Sequence, residues 1–192
     1  MTVAAARRRR LGPEPAPAVD PQDQDADPAQ VARTIVLRKL SASARTRAQL
    51  ADDLQSRGVP DDIAQSVLDR FEDVGLIDDE QFTQQWIDSR RRTRGTARTL
   101  LRRELRDKGV DDAVIDDALG QIDVDDERAQ AVRLVETKLA STRRLEPQAR
   151  VRRLAGLLVR RGYSSGVAFS VVRDVLGAEA TSLDCDGLTA DA

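Results

Sequence analysis

The sequence predicts an all-α protein made of three tandem three-helix units, helix-turn-helix-like in layout, forming an elongated, curved molecule. Three observations carry this reading. First, 33% of the 192 residues are charged and only 3% are aromatic, so helix formers dominate and strand formers are sparse. Second, Gly58, Gly109 and Gly162 set their flanking segments in one register without a gap. Leucines stand four and eight residues before each glycine: Leu54 and Leu50, Leu105 and Leu101, Leu158 and Leu154. Apolar residues stand one, five, nine and thirteen after: Val59, Ile63, Val67 and Phe71; Val110, Val114, Ala118 and Ile122; Tyr163, Val167, Val171 and Val175. Spacing of four puts these residues on one helix face, and recurrence of the whole pattern marks copies of one supersecondary unit. Third, another helical pattern precedes each copy: Ile35, Val36, Leu37 and Leu40; Phe82, Trp86 and Ile87; Ala131, Leu134, Val135 and Leu139.

Residues 1–28 read as a disordered N-terminal tail, because Pro13, Pro15, Pro17, Pro21 and Pro28 break any helix and the apolar residues there are mostly alanine. The basic run Arg7–Arg10 is followed by Leu11-Gly-Pro-Glu rather than an apolar stretch, so it is not a signal peptide. Asp23-Gln-Asp-Ala-Asp has the opening of a calcium loop, but Pro28 stands where that loop needs glycine and no glutamate closes it. Unit one spans 29–77, and Thr46 with Gln49 forms a capping box for its second helix. Unit two spans 78–122, with Asp78 and Gln81 a weaker version of that box. Unit three spans 123–177. In each unit a basic residue (Arg57, Lys108, Arg161) precedes the glycine, which supplies a left-handed helix cap. The next helix then opens with Pro60-Asp-Asp, Asp111-Asp or Ser164-Ser, all first-turn or N-cap chemistry. Residues 178–192 carry four acids and no base, and read as a disordered acidic tail.

The composition excludes several chemistries. With no histidine, there is no Ser-His-Asp triad, no Cys-His dyad and no zinc site with a histidine ligand. The single Cys185 forms neither an internal disulfide nor a metal cluster, which fits a reducing, cytoplasmic setting. The sequence has no phosphate-binding glycine loop, dinucleotide fingerprint or nucleophile elbow. The Asp pairs 61–62, 111–112 and 116–117 could hold magnesium, but helix N-terminal chemistry explains the first two without a metal, and none is expected. Catalytic residues, metals and cofactors are therefore all expected to be none.

The formal net charge of −2 conceals segregation. Nine bases and two acids lie between Arg90 and Lys108, whereas eight acids and no base lie between Asp111 and Glu127. Arg90, Arg91, Arg92 and Arg94 end the first helix of unit two. Arg98, Arg102 and Arg106 recur every four residues beside a stripe of Ala97, Leu101 and Leu105, and Arg103 widens the face. The pattern predicts one continuous cationic surface, with Arg98 and Arg102 exposed, suited to phosphates or acidic protein. Arg143, Arg144, Arg150, Arg152, Arg153, Arg160 and Arg161 add a second patch in unit three. The rival reading is a solvated helix face in an arginine-rich chain. Phe82 and Trp86 could stack bases, but their spacing inside the apolar stripe favours core packing. Direct DNA binding by helix-turn-helix units and a plain helical scaffold remain the competing classes.

The run Gly75-Leu-Ile-Asp-Asp-Glu-Gln-Phe, then Trp86, Ser89-Arg-Arg-Arg, Arg94-Gly and Leu101-Arg-Arg-Glu-Leu-Arg-Asp-Lys-Gly-Val resembles the RecX family of recombinase regulators. The resemblance covers about 31–177 and is strongest over 75–122. It implies a cytoplasmic, non-enzymatic monomer that binds the RecA recombinase and its filament on single-stranded DNA. Such a regulator blocks filament extension and suppresses ATPase, strand exchange and co-protease activity, with DNA contact also proposed. The motif positions it carries over are Phe82, Trp86, Arg90, Arg94, Gly95, Arg98 and Lys108. Together with the charge pattern, this nominates Arg90, Arg91, Arg94, Arg98, Arg102, Arg103, Arg106, Arg152 and Arg153 as partner-binding residues. Phe82, Trp86, Gly95, Leu101, Leu105, Lys108 and Gly109 are nominated as structural motif residues. Unit one has no aromatic in its first helix, and unit three lacks the Asp pair after its glycine.

Overall fold

A computed structural model describes residues 27–188, with side chains described through Glu179. The described residues contain nine helices and no strand. Unit one consists of α1 (Pro28–Ala42), α2 (Arg47–Gln55) and α3 (Asp61–Asp73). Unit two consists of α4 (Asp79–Arg94), α5 (Arg98–Arg106) and α6 (Asp112–Gly120). Unit three consists of α7 (Val124–Thr142), α8 (Pro147–Arg160) and α9 (Ser165–Leu188). No helix among them is long and apolar enough to cross a membrane.

The caps follow the sequence chemistry. Thr46 accepts from the Gln49 amide while the Gln49 side chain returns to the Thr46 amide, completing the capping box. Asp78 caps α4 by accepting from Gln81 N at 2.7 Å. Gly58, Gly109 and Gly162 all have positive φ, between 73° and 93°, a conformation a Cβ disfavours. The chain can therefore turn from the second to the third helix of every unit.

Each unit encloses its own core. Leu50, Leu54, Leu101, Leu105, Leu154 and Leu158 are all buried. The third helices keep most of the predicted register, with Val67, Phe71, Ile122, Val171 and Val175 buried, but its first position does not hold. Val167 is exposed, and Ile63 and Val114 are only half-buried. Buried beside the later members of the row are Ala64 and Leu68, Ile115 and Leu119, Ala168 and Val172, six and ten residues after each glycine. A helix turns 3.6 residues per turn, so a strict spacing of four drifts off the packed face. Leu37 is also exposed, one position beyond Ile35 and Val36 on the buried side of α1.

Two boundaries move. Asp27 caps α1 and Pro28 occupies its first turn, so the fold starts inside the segment assigned to the N-terminal tail. The rest of that tail, 1–26, lies outside the described residues. At the other end α9 continues past 177 to Leu188. Glu179, assigned by its sequence to a disordered tail, is bound by Arg143 and Arg150. Those two cations hold the carboxyl below the usual glutamate range, outweighing the desolvation that pushes it up.

The units are joined by a repeated contact that no sequence period announces. Where α2 begins, Thr46 Oγ1 donates to the carbonyl of Lys108 at 2.6 Å and Arg47 N donates to Asp79 Oδ1 at 2.9 Å. Where α5 begins, Ala97 N donates to the carbonyl of Arg161 at 2.8 Å and Arg98 N donates to Glu127 Oε1 at 2.6 Å. Both times, the start of a unit's second helix spends donors on the next unit: the Thr46 hydroxyl and Arg47 amide at the first joint, the Ala97 and Arg98 amides at the second. The acceptors are a carbonyl just before that unit's glycine and a carboxylate in its first helix. The glycines receive this contact. A Cβ on Gly109 would collide with Ala48, and one on Gly162 would lie 2.5 Å from Leu100 Cβ. Gly58 has open space, and no unit precedes it among the described residues. The third unit breaks the pattern differently: α8 starts at Pro147, which has no amide hydrogen to donate.

Candidate partner-binding surface

The predicted surface is built on the end of α4, the turn after it, and α5. Gly95 caps α4 with φ 61°, and a Cβ there would lie 2.6 Å from Leu134 of α7. The last carbonyls of α4 meet donors from unit three. Gln130 Nε2 donates to Arg91 O at 3.0 Å, Tyr163 Oη donates to Gly95 O at 3.2 Å, and Arg161 Nη1 donates to Arg94 O. Burial pushes the Tyr163 phenol up to about 12, with the Glu127 charge adding to the effect, so it stays a neutral donor. Unit three thus anchors the backbone carrying Arg90–Arg94.

The row Arg98, Arg102 and Arg106 is not a free cationic face. Arg98 is half-buried and pairs with Glu127, Nε to Oε2 at 3.2 Å. Arg102 is half-buried and pairs with Asp116. Arg106 makes a two-pronged contact with Asp112, at 2.6 and 3.1 Å. The expectation that Arg98 and Arg102 are exposed is therefore corrected, as is that of one continuous cationic surface. The reason is the fold: α6 returns along α5, and the acidic stretch from Asp111 to Glu127 meets the basic stretch before it. Charges segregated along the chain neutralise each other in space. Asp112 is held below the usual carboxylate range by its hydrogen bonds from Arg106.

Arg91, Arg92, Arg94 and Arg103 remain with no carboxylate on their guanidinium groups among the described residues. Arg92, Arg94 and Arg103 are exposed and Arg91 is half-buried. In unit three, Arg143 and Arg150 are taken by Glu179, and Arg161 by the Arg94 carbonyl. Arg144, Arg152, Arg153 and Arg160 stay exposed and have no ion pair among the described residues. Among the described residues no group of acids, cysteine or histidine could hold a metal ion.

The aromatic motif residues turn inward. Phe82 is buried and stacks on half-buried Trp86, with centroids 5.9 Å apart and planes 16° apart. The Arg90 guanidinium carbon and Lys108 Nζ each lie 4.1 Å from the Trp86 ring centroid. Trp86 Nε1 donates to Glu104 Oε2 at 2.9 Å, and Arg90 Nε forms an ion pair with the same oxygen at 2.9 Å. A ring dressed with two cations is a packing element rather than a platform for bases. Glu104, which the sequence offers only as part of the motif run from Leu101, and Arg45, which no motif contains, complete this cluster. Neither lies on a recurrent spacing, so only the packing of unit one on unit two brings Arg45 there.

Known proteins share this arrangement. The family profiles described as RecX first, second and third three-helix domain match residues 32–71, 78–119 and 125–172. The chain is 52% identical over 153 residues to "Regulatory protein RecX" of Streptomyces lividans, covering 80% of this chain and 81% of that protein. It is 45% identical over 172 residues to the protein of the same name from Mycolicibacterium smegmatis, covering 86% and 91%. The crystal structure of RecX from Lactobacillus salivarius superposes with a TM-score of 0.69 at 21% identity, covering 78% of this chain and 97% of that one; that likeness speaks for the fold.

Proposed function

This chain belongs to the RecX family, and we propose that it regulates the RecA recombinase without catalysing a reaction itself. It binds RecA and its nucleoprotein filament on single-stranded DNA as a monomer and blocks filament extension. Loss of ATPase, strand exchange and co-protease activity follows from that block. The observation that carries this reading is the set of arginines left unpaired at the end of α4 and on α5: Arg91, Arg92, Arg94 and Arg103. The rest of the row is neutralised internally, and unit three fixes the backbone beneath Arg91 and Arg94. Unpaired cations on an anchored backbone suit an acidic protein surface or the phosphates threaded through a filament. Arg152 and Arg153 on α8 offer a second contact.

Groove reading by a helix-turn-helix is less well supported. The third helix of unit two, where a recognition helix would sit, carries Asp112, Asp116 and Asp117 and no base. DNA phosphates would repel it. The test is recombinase ATPase on single-stranded DNA, with parent protein and an R91E/R94E/R103E variant at matched concentration. The parent should inhibit and the variant should lose most of that inhibition, while both keep the same helical signal. Equal inhibition by the two proteins would remove this surface from the interface.

A further inference from the structure

Arg45 lies in the loop between α1 and α2, one residue before the Thr46 that bonds the Lys108 carbonyl. It is half-buried, and its Nε is fully enclosed without a hydrogen-bond partner. No carboxylate pairs with it among the described residues. Across the joint stand Lys108 and Arg90, each 4.1 Å from the Trp86 ring. Arg90 Nε is also enclosed and makes no directed hydrogen bond, although Glu104 neutralises it at 2.9 Å. Glu104, the carboxylate on this side of the joint, is already committed to Trp86 Nε1 and Arg90, so Arg45 and Lys108 have no ion-pair partner of their own among the described residues.

Desolvation, then the charges of Arg90 and Arg45, hold the Lys108 ammonium below the usual lysine range. Crowding like charges and burying N–H groups without acceptors both oppose folding. An enclosed donor with no acceptor calls for a missing partner. The missing partner here must be an anion with several oxygens. A planar carboxylate is already present as Glu104, and about two positive charges remain. A phosphate group, with about −1 to −2 charge and oxygens pointing several ways, matches both the charge and the spread of donors.

We propose that Arg45, Arg90 and Lys108 form a phosphate-binding site at the joint between the first two units. The site is distinct from the arginines assigned to the recombinase contact, and it does not depend on that assignment. A bound phosphate would tie the loop between α1 and α2 of unit one to α4 and the turn after α5 of unit two. Its source is either the backbone of a single-stranded nucleic acid or free inorganic phosphate.

Trp86 is the only tryptophan and lies against two of the three cations, so its emission reports occupancy without any recombinase. The full chain is titrated with inorganic phosphate against chloride at matched ionic strength, and separately with a short oligothymidylate lacking terminal phosphates. A saturable change in Trp86 emission is expected with at least one of them. A response to the oligonucleotide at lower phosphate-group concentration assigns the site to nucleic-acid backbone. A response to inorganic phosphate alone assigns it to the free ion.

Arg45→Gln should weaken the response by at least about tenfold, the effect of losing one charge-assisted donor. Arg57→Gln, which removes an exposed charge outside the cluster, should leave it intact. Arg45→Gln should melt in chloride no lower than the parent, because like-charge crowding is relieved. If Arg45→Gln proves unstable, Arg45→Lys serves instead and should respond more weakly than the parent. No emission change with either ligand, or an unchanged response in the Arg45 variant, overturns the proposal.

Discussion

Thr46 Oγ1 donates a 2.6 Å hydrogen bond to the carbonyl oxygen of Lys108, 62 residues further along the chain. The same hydroxyl oxygen accepts from Gln49 N at 3.2 Å. One side chain therefore caps its own helix and fastens its unit to the next. At the second joint Ala97, which has no hydroxyl, makes the corresponding bond with its backbone amide to Arg161 O.

The joint can be separated from the glycine conformation by comparing Gly58→Ala with Gly109→Ala. Both positions have φ near +73°, and a non-glycine residue there costs roughly 1–2 kcal/mol. Gly58 has open space beyond that cost, whereas a Cβ at Gly109 meets Ala48. The Gly109 variant should therefore lose clearly more stability in urea unfolding. Equal losses would mean that the units do not press on each other at this point.

Leu105→Ala should cost about 2–5 kcal/mol, because a fully buried leucine leaves a cavity in the core of unit two. Chemical denaturation followed by far-ultraviolet circular dichroism measures it. A loss under about 1 kcal/mol would show that α5 is not packed as described.

Arg98 and Arg103 stand five residues apart on different faces of α5 and should differ in role. Arg98→Glu places two carboxylates together at Glu127 and should lower the melting temperature. Its effect is modest, on the order of 1 kcal/mol, because the guanidinium is partly exposed. Arg103→Glu should leave melting unchanged and act only on recombinase inhibition. Raising the salt concentration should weaken inhibition by the parent protein in the same direction.

Glu179 makes the protein sensitive to acid. Its carboxyl is depressed in the folded state by Arg150 and Arg143, against an opposing desolvation effect. Its contribution to stability is therefore complete above the usual glutamate range and disappears as pH falls through the depressed folded value. Glu179→Gln should be less stable than the parent at neutral pH, and the difference should shrink below about pH 4. A constant difference across that range would separate Glu179 from the acid response.

The sequence by itself determined the helices, their caps, the three glycine turns and the buried leucine pairs. These depend on local properties: which residue tolerates positive φ, which side chain reaches an amide three positions on, and which residues share a helix face. The resemblance to the RecX family was legible for a related reason, since its motif lies in a continuous stretch across α4 and α5. The tertiary structure decided which cations are free. Arg98, Arg102 and Arg106 have the same spacing and chemistry as any exposed row, yet Glu127, Asp116 and Asp112 neutralise them because α6 and α7 fold back on α5. Tertiary structure alone placed Arg45 beside Lys108 and gave Glu179 its partners. Coulombic pairing and desolvation act through space over a few ångströms, and residues such as Arg150 and Glu179, 29 positions apart, or Thr46 and Lys108, 62 apart, share no local pattern that reveals such proximity.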